Sequence, residues 1–165
     1  MNYEMPKEVR GRILHGAKRA DSPHEVPMEF QGELHFESGV SATFYNSFRG
    51  NHQQWVHVSG TKGYVEWKDF VLPYFGNSVS FDVGNHDFVI DGCRFNMEKH
   101  LRTVTIPEYS NNMPDAQETK LFRSFSQLVL DGKIDSHWPE ISLKTQQVLD
   151  AALNSARQNS EPVYL

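Results

Sequence analysis

The sequence predicts an α+β domain, with a mostly antiparallel, open β-sheet and helices packed on one face. Three observations lead there. Up to about residue 108, apolar and polar side chains alternate with a period of two, as half-buried strands do. The links between these runs are as short as two residues, which joins antiparallel neighbours. From about residue 115 the apolar residues recur with helical spacing. Strands followed by helices, rather than interleaved with them, give the α+β arrangement.

Val9 to Lys18 reads as the first strand, with Val9, Ile13 and His15 on alternating positions before the turn formers Ala20-Asp21-Ser22-Pro23. Met28, Phe30, Gly32, Leu34 and Phe36 alternate with Glu29, Gln31, Glu33, His35 and Glu37. Ser38-Gly39 turns the chain, and Val40, Ala42, Phe44, Asn46 and Phe48 alternate in the next strand. These two strands are expected to pair antiparallel. Trp55 to Val58 and Tyr64 to Trp67 flank Gly60-Thr61-Lys62-Gly63. A lysine between glycines suggests a phosphate loop, but that loop needs G-x-x-x-x-G-K-[ST] and a helix behind it. Gly60 and Gly63 are too close for that spacing and strand formers follow, so a tight hairpin is expected. Phe81–Val83, Phe88–Ile90 and Leu101–Ile106 read as further short strands.

Asp115 and Glu118 form a pattern like a capping box at the start of a helix whose stripe is Leu121, Phe125, Leu128 and Val129. Gly132 suits the left-handed position that ends it. A second helix begins near Trp138-Pro139, with Ile141, Thr145, Val148, Leu149, Ala152 and Ala156 as its stripe. Pro162-Val163-Tyr164-Leu165 is expected as an edge strand. No repeat or low-complexity segment interrupts the chain.

With 165 residues the chain suits one domain spanning residues 1–165. A net charge of −5 with scattered Lys and Arg argues against a nucleic-acid surface. The opening MNYEMPKEVRGR has no apolar core of a signal peptide, and no run nears the roughly 18 apolar residues of a membrane span. Cys93 stands alone without a histidine at hand, so an inert thiol in a reducing, cytoplasmic setting is expected. Asp82, Asp87 and Asp91 lack calcium-loop spacing and read as solvated turns.

"GTKGYVEWKDFVLP", "GKIDSHWPEISLKTQQVLDAALNSAR", the closing "PVYL" and the stretch "SGVSATFYNSFRGNHQQWVHVSGTKG" together resemble the C-terminal domain of the Gfo/Idh/MocA oxidoreductases. The resemblance runs from about Val9 to Leu165. It implies a substrate-closing, oligomer-forming domain that accompanies an N-terminal Rossmann domain binding NAD or NADP, in enzymes that move hydride at a sugar or polyol carbon. In that family a Glu-Lys-Pro lysine handles the proton, helped by an Asp and a His on a later helix. Here no G-x-G-x-x-G occurs, and Glu98-Lys99-His100 lies after the GTKG hairpin instead of far before it. The Asp/His helix would precede Met1. The expectation is a C-terminal domain without its partner half, as a truncated reading frame, a cut-down piece or a stand-alone domain. No catalytic residue, metal or cofactor is assigned to the chain alone.

The resemblance brings the loop at Tyr109, Asn111 and Asn112 towards the substrate pocket, where an aromatic face and amide groups suit a sugar. Turn formers leading into a helix explain the same residues without a ligand. Glu33, His35, Thr43, Tyr45, Trp55 and His57 are expected on the polar sheet face, and aromatics there point to a covered interface, a homodimer by the resemblance. A metal site at Glu33, His35 and His57 is the weaker alternative. Other readings are a subunit complementing a separately encoded Rossmann domain and a stand-alone sugar-binding module.

Overall fold

The computed structural model describes residues 3–71, 73, 76–108 and 113–165. The elements run β1 (Glu8–Ala17), β2 (Val26–His35), β3 (Ser41–Ser47), β4 (Trp55–Gly60), β5 (Gly63–Lys68), β6 (Ser78–Asp91), β7 (Arg94–Pro107), α1 (Gln117–Leu130), α2 (His137–Arg157) and β8 (Val163–Tyr164). The class is α+β, and the strands divide into two antiparallel four-stranded sheets, ordered β3-β2-β1-β8 and β4-β5-β6-β7. The chain separates into two compact units, Met1–Asn51 with Ile134–Leu165, and His52–Lys133.

In the first unit, β1 lies between β2 and β8. Val9 is fully buried and forms the core with Ala151 and Ala152 of α2, ringed by Phe30, Leu34, Phe44, Val148 and Val163. Removing such a valine from water contributes about 1.5–3 kcal/mol. The β2–β3 hairpin closes as its alternation requires, with Phe36 N–H bonded to the Val40 carbonyl and Glu33 opposite Thr43. Pro139 falls in the first turn of α2, where its missing N–H costs nothing. The stripe of α2 is rotated from the expected one. Thr145 and Leu149 are exposed, while Val148, Ala151, Ala152 and Ser155 face β1. The cause is close approach: a Cβ on Gly11 would lie 2.0 Å from the Ala152 carbonyl oxygen, so only small residues fit the contact line. Ser155 Oγ accepts the Gly11 N–H at 3.0 Å and donates to the Glu161 carbonyl at 2.5 Å.

The second unit begins as a meander. Gly60 pairs with Gly63, leaving Thr61-Lys62 as the two-residue turn foreseen at that point. Gly63 has φ +149, and a Cβ there would meet the Gly84 carbonyl at 2.5 Å. Val56, Val65, Trp67, Val79, Phe81, Val83 and Val104 alternate onto one face, with Trp67 and Phe81 rings 5.9 Å apart. The three short strands expected after Val79 are instead two 14-residue strands, β6 and β7, paired from Ser78–Pro107 to Asp91–Arg94. Asn85-His86-Asp87 looks like a break in the sequence, but it pairs with His100, Lys99 and Glu98. β5 ends its pairing at Gly84, so Asn85–Asp91 and Arg94–His100 continue as a two-stranded ribbon.

Helix α1 starts later than its capping pattern suggested. Buried Ala116, not Asp115, holds the N-cap position, without a side-chain cap. Burial of Ala116 sets where the chain enters the helix, leaving Asp115 one residue too early. Its end is as expected: Gly132 has φ +63, Gly132 N–H bonds the Val129 carbonyl and Lys133 N–H that of Leu128. α1 buries none of its residues.

Candidate functional surfaces

In the first unit, Glu33, His35, Thr43 and Tyr45 all point from the sheet face opposite α2 and are exposed, as alternation required. The face is laced with polar contacts. Glu29 accepts from Tyr45 Oη at 3.4 Å and Ser47 Oγ at 3.1 Å, and His35 Nε2 lies 3.7 Å from Glu33. Glu8 accepts from Arg10 Nε at 2.7 Å, and this hydrogen bond raises the guanidinium above its ordinary pKa.

Trp55 and His57 belong to the second unit, on β4. There they meet residues that the sequence pattern alone did not single out. Trp55 pairs with Lys68 and His57 with Glu66 across the β4–β5 ladder. Lys68 Nζ is 3.7 Å from Glu66. Together with His52, Gln53, Gln54 and Asp69 these side chains line a concavity of about 710 Å³. Gln54 Nε2 donates to the Asp69 carboxylate, and Asp69 N–H returns a bond to the Gln54 carbonyl at 2.7 Å, closing the base of β4 and β5. Trp55 is 61% exposed at this concavity. His57 stacks obliquely on Tyr64, whose hydroxyl lies 3.3 Å from His86 Nε2. The arrangement offers an aromatic face beside a carboxylate, an ammonium and amides, a set that receives another protein surface or a hydroxyl-rich ring. The signal for Glu66 and Lys68 was present: a two-residue turn between Gly60 and Gly63 fixes which residues stand opposite Trp55 and His57.

Tyr109, Asn111 and Asn112 lie outside the described residues. Their neighbour Glu108 is described: its Oε2 is 4.0 Å from Lys120 Nζ, and its Oε1 is buried without a hydrogen-bond partner among the described residues.

No group of three or more His, Cys, Asp or Glu is placed to hold a metal among the described residues. Asp82 and Asp87 lie within β6 instead of in turns: Asp82 accepts from Thr103 Oγ1 at 2.6 Å, and Asp87 lies 3.4 Å from His100 Nε2. Cys93 is exposed in the turn of the ribbon. No helix among the described residues is long and apolar enough to cross a membrane. No model of a known protein family matches the chain.

Proposed function

We propose that this chain is the substrate-walling and association domain of an NAD(P)-dependent sugar or polyol oxidoreductase of the Gfo/Idh/MocA type. It is not catalytic alone, and it forms a homodimer through its open sheet surface. The observation that carries the association reading is Trp55, a large aromatic 61% exposed among charged neighbours on β4. An indole left in water forgoes the burial that usually makes aromatics interface anchors. The family reading draws support from where the resembling segments fall: GTKG forms the β4–β5 hairpin, and PVYL supplies β8 beside β1. Replacing Trp55 with Glu is expected to halve the mass of the assembly in light scattering, and an unchanged mass sinks the interface.

A second reading, a stand-alone binding module for a sugar-like ligand, is favoured by the concavity at Trp55, His57, Glu66 and Lys68. Calorimetric titration separates the readings. The domain reading expects no NADH or NADPH binding by this chain alone, with turnover only when a Rossmann domain is supplied. Saturable sugar binding that is lost in Trp55→Ala favours the module.

A further inference from the structure

The ribbon of β6 and β7 carries a feature that the proposed function does not use. β7 is the outer strand of its sheet. Glu108 N–H, in line with β7, bonds the Asn77 carbonyl on the β6 side. The ladder has no register shift, so even-numbered residues of β7 turn their backbone groups to β6 and odd-numbered ones turn theirs outward. Two details agree. Pro107, which has no N–H, occupies an outward position. The outward N–H of Met97 is met by the side chain of its neighbour Asn96, at 3.0 Å.

The charges along this edge are unbalanced within one chain. Glu98 stands opposite Asp87, two carboxylates side by side, with His100 at 3.6 Å from one and 3.4 Å from the other. Arg102, on the same face, has no ion pair among the described residues. Phe88, Ile90, Phe95 and Met97 project from the opposite face of the ribbon and are more than half exposed.

We propose that β7 pairs antiparallel with β7 of a second copy about a two-fold axis at His100. The outward backbone groups of Phe95, Met97, Lys99, Leu101, Thr103 and Thr105 then bond one another across the axis. Glu98 faces the Arg102 of the second copy at a close, non-hydrogen-bonded pair, twice by symmetry. The Asp87–Glu98 carboxylates gain their missing cation. Adjacent registers fail. One step towards the ribbon tip opposes Lys99 to its own copy, and one step away opposes His100 to Arg102. Both steps lose the Glu98–Arg102 pairs. Charges that guard an edge strand against indiscriminate pairing thus admit one alignment.

This contact is independent of the Trp55 surface, and the experiment keeps them apart. Sedimentation equilibrium is run in the Trp55→Glu background, which removes the other contact: on that chain alone, with Glu98→Arg added, with Arg102→Glu added, and on an equimolar mixture of the two charge variants, with circular dichroism verifying the fold of each. The Trp55→Glu chain is expected to dimerise, each charge variant alone to dimerise at least about tenfold more weakly, and the mixture to recover a heterodimer. A monomeric Trp55→Glu chain, or charge variants that dimerise as it does, overturns the proposal. So does a mixture that stays monomeric.

Discussion

The hydroxyl of Ser155 occupies the place of a missing strand beside Gly11. β8 pairs with β1 only at Glu8 and Val9, so the Gly11 N–H has no ladder partner, and Ser155 Oγ takes it at 3.0 Å while donating to the Glu161 carbonyl. Ser155 is fully buried.

Ser155→Ala therefore strands a buried donor and a carbonyl at once. A loss of about 1–3 kcal/mol is expected, read as a lower urea midpoint with an unchanged m-value. Ser155→Thr, which keeps the hydroxyl but adds a methyl to a filled site, does not restore full stability.

Gly11→Ala tests the same seam by volume. The new Cβ would lie 2.0 Å from the Ala152 carbonyl oxygen, a backbone atom that yields only if α2 moves. The expected cost is about 3 kcal/mol or more, and thermal unfolding measures it. A variant as stable as the wild type would show that α2 is not seated this closely on β1.

Gly63→Ala probes the hairpin at Thr61-Lys62. The residue sits at φ +149, and an added methyl would lie 2.5 Å from the Gly84 carbonyl oxygen, so strain and clash act together. A loss of about 1–3 kcal/mol is expected, followed by tryptophan fluorescence during urea unfolding.

Exposed Glu140 and half-buried Lys144 pair one turn apart on α2, at 2.7 Å. The hydrogen bond from Lys144, and then its charge, hold the Glu140 carboxyl below its ordinary pKa. A lowered folded value means that the pair's contribution is complete above the carboxylate's ordinary pKa. It fades as pH falls through the folded value. Glu140→Gln is expected to lower Tm slightly near about pH 7 and not at all near about pH 2. Equal effects at both pH values would contradict the assignment.

The β2–β3 and β4–β5 hairpins were legible because short turns fix the partner locally and the alternation shows which face is buried. β4–β5 turns in two residues as expected. β2–β3 turns in three, Glu37-Ser38-Gly39, instead of at Ser38-Gly39 alone, because only that register sets Leu34 opposite Ala42 on the buried face. The full length of β6 and β7 was not. Asn85-His86-Asp87 carries turn formers, and its strand character comes from Glu98, Lys99 and His100 across a turn that itself had to be found. Ser155 was illegible for a related reason. A serine beside an apolar stripe reads as surface until one knows that β8 stops short of Gly11. Of the candidate sites, the exposure of Glu33, His35, Thr43, Tyr45, Trp55 and His57 followed from periodicity alone. The concavity at Trp55 needed the register, and its partners Glu66 and Lys68 become visible only once the hairpin is counted out.

The first unit is built from both ends of this chain: Gly11 meets Ser155 across 144 positions, and the whole of His52–Lys133 is threaded between them. On a ribosome, the strands of the second unit emerge and can close their hairpins while β1 still waits for α2 and β8. Nascent β1–β2–β3 must then survive as a three-stranded sheet with its apolar face bare. The burial of Val9 waits until α2 and β8 have emerged, and a chaperone that shields Val9, Phe30, Leu34 and Phe44 during that interval would act where this unit is open to misassembly.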